Sequence, residues 1–113
     1  MEKIEISNIL RAFGNGNFLE EVDNSYEPEP YISAIMARIR DDVHWNAKRH
    51  PEFVYWKSVT SALLEARENF SEAELDELLR LDFNIYPSAV KGVDEFFMRL
   101  AHELASYMDE ASK

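Results

Sequence analysis

The sequence predicts an all-α fold, a single-domain bundle of four main helices plus a short N-terminal helix, occupying residues 1–113. Three observations point to it. Apolar residues recur at helical spacing along most of the chain. The two-residue alternation of a half-buried strand is confined to "KIEI" near the N-terminus. Prolines and a Ser-x-x-Glu pattern stand where helices would begin. With short connections, a roughly antiparallel up-and-down arrangement is the simplest expectation.

Residues 2–13 form the short first helix, with Ile6, Ile9, Leu10 and Phe13 at i, i+3, i+4, i+7. Gly14 is read as its stop and "GNGN" (14–17) as a turn. That segment lacks the third glycine of a dinucleotide fingerprint, so no phosphate loop or cofactor is expected. An acidic loop follows over about 14–29, since the prolines of "SYEPEPY" break regular structure. Pro30 suits the first turn of the next helix, whose core face is Ile32, Ile35, Met36, Ile39 and Val43, running to about residue 49.

Pro51 disfavours helix at His50 and opens a third helix, with Phe53, Trp56, Val59, Leu63 and Ala66 inward and Phe70 one turn beyond. Ser71 and Glu74 make a capping box, each satisfying an unpaired amide, so a helix starts at Glu72 and buries Leu75, Leu78 and Leu79. "DFNIYPS" interrupts the pattern. Ser88 is the expected cap of the last helix, which carries Val93, Phe97, Leu100, Leu104 and Met108 on one stripe, widened by Phe96 and Tyr107.

A chain of 113 residues and 13.2 kDa with 46% hydrophobic residues can bury one core without disulfides or metal. Zero cysteines exclude thiolate chemistry and a disulfide framework, and no basic leader or long apolar run is present, so a cytoplasmic location is expected. The net charge of −10 and pI near 4.7 argue against direct binding to nucleic acid or to an anionic membrane. A basic protein would instead be attracted.

Catalytic and metal patterns are sparse. "HELAS" at 102–106 begins like the zinc motif H-E-x-x-H but has Ser106 in place of the second histidine, and His102 falls on the polar side of its helix. "DDVH" brings Asp41 and His44 within reach of one another on one helix, which leaves a small helical enzyme as one alternative. No metal site is expected.

The charge is patterned. Residues 63–83 hold Glu65, Glu68, Glu72, Glu74, Asp76, Glu77 and Asp82 against Arg67 and Arg80, a balance of −5. Residues 20–29 add Glu20, Glu21, Asp23, Glu27 and Glu29 with no cation. By contrast, residues 38–57 hold Arg38, Arg40, Lys48, Arg49 and Lys57 against Asp41, Asp42 and Glu52, a balance of +2. Glu72 and Glu74 suit a helix N-terminus, and Asp76 has Arg80 at i+4, but the other acids lack a local partner. Surface charge is cheap, so a solvated face remains one reading of them. The other is a surface that steers a basic partner and occupies the sites where phosphates would bind.

Trp45 lies nearly opposite Ile39 and Val43 on its helix, among polar residues. It is either an interface anchor or a sign that this helix packs on two sides. The candidate partner-binding residues are therefore Glu20, Glu21, Asp23, Trp45, Glu68, Glu72, Asp76 and Glu77. In size, charge and helicity, though through no motif, the chain is similar to bacterial immunity proteins that block toxin nucleases, such as those of colicins or contact-dependent inhibition systems. That likeness implies a non-enzymatic inhibitor that masks a basic toxin; the chain itself is expected to be a monomer or a homodimer. A structural or regulatory subunit that self-associates through an apolar edge is the other alternative.

Overall fold

The computed structural model describes residues 1–20 and 27–113. Its elements are α1 (Lys3–Asn17), α2 (Pro28–Ala47), α3 (Val54–Asn69), α4 (Glu72–Asp82), a 3₁₀ turn (Pro87–Ala89) and α5 (Val93–Ala111). The protein is an all-α single-domain bundle. Among the described residues, no helix is long and apolar enough to cross a membrane.

The predicted inward residues form the core: Ile6, Leu10, Ile32, Ile39, Val59, Leu63, Leu79, Phe97, Leu100 and Leu104 are all buried. One end is aromatic. Phe13, Phe18, Phe83, Phe96 and Phe97 pack with ring centroids between 5.2 and 6.4 Å in tilted and edge-on geometries, which match the ring quadrupoles.

The packing order departs from a simple up-and-down bundle. α3 packs against α1 and α5, α4 touches both α1 and α5, and α2 lies principally on α5. Helices α1, α3, α5 and α4 thus close a ring, with α2 applied to its outside. Chain neighbours α2 and α3 are not principal partners, because the 48–53 corner sends α3 back toward α1.

Several boundaries move. α1 is not a short helix stopped at Gly14; it is 15 residues long and runs through "GNGN". Gly14 is buried, and a Cβ there would lie 2.4 Å from the Asp82 carbonyl oxygen, so its bare backbone serves the α1–α4 crossing. Asn15 and Asn17 bond back to the carbonyls of Arg11 and Phe13, both at 2.8 Å, and hold the last turn. α2 begins at Pro28, so its prolines occupy the first turn, where no intrahelical amide is lost.

α3 starts at Val54, not at Pro51, which sits in the preceding turn. Phe53 adopts the left-handed conformation (φ 53°), uncommon for a bulky residue, while its ring is buried. Ser88 does not cap α5. It lies in the 3₁₀ turn, and Gly92 precedes the helix, whose first turn carries Asp94 and Glu95. Asn84, also left-handed (φ 56°), donates from its amide to the Phe18 carbonyl at 2.6 Å and ties this connection to the end of α1.

Candidate protein-interaction surface

α4 stands as a ridge between α1 and the start of α5. Its capping box forms as expected: the Glu74 amide donates to Ser71 Oγ at 3.2 Å and the Ser71 amide to Glu74 Oε1 at 2.8 Å. Leu75, Leu78 and Leu79 point inward. That orientation turns Glu72 and Asp76 to the flank facing Pro87, Ser88 and Asp94. Glu77 turns to the groove shared with α1.

Tertiary partners absorb part of the acidic surplus. Lys3 Nζ reaches Glu74 at 2.9 Å, and the Ser71 amide first, then Lys3, hold the Glu74 carboxyl below its usual range. Asp82 accepts from Asn15 at 2.9 Å and lies 3.6 Å from Arg11. Glu65 takes the Met1 amine at 2.7 Å. Arg67 forks onto both oxygens of Asp94 at 2.8 and 3.0 Å, and its hydrogen bonds lower the Asp94 carboxyl.

Glu68, Glu72, Asp76 and Glu77 are left without an ion pair among the described residues. The Asp76–Arg80 pair expected from i+4 spacing is not formed within 4 Å.

The groove between α1 and α4 has Phe70 and Leu78 in its floor and the exposed Ile4 and Leu81 on its rims, with Glu77 beside them. Neither rim residue was singled out from the sequence. Their common signature is an apolar residue two positions off a core stripe, Ile4 before Ile6 and Leu81 after Leu79.

The remaining candidates lie elsewhere. The Glu20 amide donates to the Tyr31 hydroxyl at 2.8 Å, at the start of α2. Glu21 and Asp23 fall outside the described residues. Trp45 is 61% exposed, with the Arg49 guanidinium 5.4 Å above its ring, so it does not mark a second packed face of α2. It lies in a shallow groove with Arg40, His44, Lys48 and Glu110, about 21 Å from Tyr31 at 1.5 Å per residue. The structure therefore separates Trp45 from Glu20 and sets it in a groove of mixed charge, with Arg40 and Lys48 but also Asp41 and Glu110.

His44 Nε2 is 3.3 Å from Glu110, which also accepts from Arg40 at 2.9 Å; no Asp41–His44 hydrogen bond forms. Among the described residues no three His, Asp or Glu side chains gather as a metal site would. Comparison with protein-family models, curated proteins and solved structures gives no match to this chain.

Proposed function

We propose that the protein is a non-enzymatic binding module, an inhibitor of the immunity or antitoxin kind that neutralises a basic, nuclease-like partner. One observation carries the reading. Of the seven acids of residues 63–83, Glu65, Glu74 and Asp82 are paired within the molecule, whereas Glu68, Glu72, Asp76 and Glu77 form no ion pair among the described residues, which leaves their carboxylates available to a partner.

The mechanism is steric and electrostatic. Carboxylates take the Lys and Arg side chains that would otherwise grip phosphates, and the neighbouring Ile4 and Leu81 supply apolar contact beside Glu77. Long-range attraction by the −10 chain speeds the encounter. No catalysis takes part.

Affinity capture with the tagged protein from its native lysate, eluted in salt steps and read by mass spectrometry, tests the reading. A basic protein with nuclease character that elutes at high salt, and is lost with Asp76→Lys/Glu77→Lys, is the expected outcome. Recovery of no basic partner, or capture unchanged by the double reversal, overturns it.

A further inference from the structure

The face of α3 turned away from α1 and α5 carries Val54, Lys57, Ser61, Leu64 and Glu68, all exposed, at spacings of three, four, three and four. Lys57 stands near one end and Glu68 near the other, about 16 Å apart at 1.5 Å per residue. Neither forms an ion pair within the described molecule. Between them lie a small residue, Ser61, and an apolar one, Leu64, which is 37% exposed. Val54, 69% exposed, ends the row.

This row is complementary to itself when reversed. Lys57 and Glu68 are equidistant from a midpoint that Ser61 and Leu64 also share. Turning a second copy by a two-fold axis through that midpoint sets Lys57 against the partner's Glu68 and Glu68 against the partner's Lys57. Leu64 then meets the partner's Ser61, a large side chain over a small one, which lets antiparallel helices approach closely.

We propose that this α3 face is a self-association site whose occupant is a second copy of the chain, giving an isologous antiparallel dimer. An isologous contact needs each patch to be its own complement, and the charge order on α3 meets that condition. The contact is a single pair of helices, so it belongs with small, transient interfaces. The net charge of −10 per copy opposes association at long range. At physiological salt the Debye length of about 8 Å screens that repulsion far more than it weakens ion pairs in contact. The proposal stands apart from the inhibitor reading: it uses Glu68 but not Asp76 or Glu77, and needs only the purified chain.

Sedimentation equilibrium at about 0.15 M salt, up to roughly 1 mM protein, tests it. The wild type is expected to move from 13.2 kDa toward twice that mass with concentration. Lys57→Glu and Glu68→Lys, each alone, place like charges face to face and should weaken association at least about tenfold. An equimolar mixture of these two variants re-forms both ion pairs and should recover a heterodimer, and Leu64→Asp should abolish association. Circular dichroism confirms that each variant is folded. A wild type that stays at 13.2 kDa throughout, or reversals that leave association unchanged, or a mixture that fails to associate, would each overturn the proposal.

Discussion

Gly14 of α1 meets the backbone of Asp82 at the end of α4 so closely that a Cβ on Gly14 would sit 2.4 Å from the Asp82 carbonyl oxygen and 2.9 Å from the Phe83 ring. Gly16, two residues on, has nothing within 4 Å of the equivalent position. The two glycines should therefore respond oppositely to alanine. Gly14→Ala forces the helices apart and is expected to cost about 1–3 kcal/mol despite the better helix propensity. Gly16→Ala removes unfolded-chain entropy and should be neutral or stabilising by up to about 1 kcal/mol. Urea denaturation of both variants checks the sign.

The capping box of α4 separates acids that serve folding from acids that do not. Ser71→Ala should lose about 1 kcal/mol. By contrast, Asp76→Asn and Glu77→Gln, at positions without ion pairs among the described residues, should change stability by less than about 0.5 kcal/mol. A large loss from either of the latter would show that these carboxylates have a folding role after all.

Arg99 forks onto Glu29 with contacts of 2.6 and 2.8 Å, joining the first turn of α2 to α5. The hydrogen bonds to Arg99 lower the Glu29 carboxyl from its ordinary 4.5. Because the folded-state value is the lower one, the contribution is present above that ordinary value and fades as pH falls through the folded value. A double-mutant cycle with Glu29→Gln and Arg99→Ala should give about 0.2–1 kcal/mol at neutral pH, as for other exposed pairs. Repeated below the folded value of Glu29, the same cycle should give nothing.

Phe83 touches Phe13, Phe18, Phe96 and Phe97 and is fully buried. Phe83→Ala should cost about 3–5 kcal/mol, the range for deleting a buried ring. Thermal unfolding followed by circular dichroism would register it as a large drop in Tm.

The inward stripes of α2 to α5 were legible because burial leaves a periodic trace, and the start of α4 because a capping box is a local chemical pattern. The end of α1 was hidden: "GNGN" reads locally as a turn, and only the approach of Asp82 explains a glycine there inside a helix. Phe53 was hidden for a related reason, since nothing in "KRHPEF" announces a left-handed phenylalanine. Trp45 was legible as an anomaly, yet its exposure depends on which face of α2 is covered, and the pairing of Glu65, Glu74 and Asp82 with Met1, Lys3 and Arg11 depends on which helices become neighbours. Ile4 and Leu81 stand nearly opposite Ile6 and Leu79 on their helices, a position the sequence does show, but only the packing of α1 on α4 brings them to one groove.

Because α2 rests principally on α5, while α1, α3, α4 and α5 each have at least two partners among themselves, the molecule is not held with equal firmness throughout. Detaching α2 breaks its apolar seam with α5 and the Arg99–Glu29 clasp but leaves the circuit of the other four helices closed. Its amides are thus the ones whose hydrogen exchange would proceed through a partial opening, at a free energy below that of global unfolding.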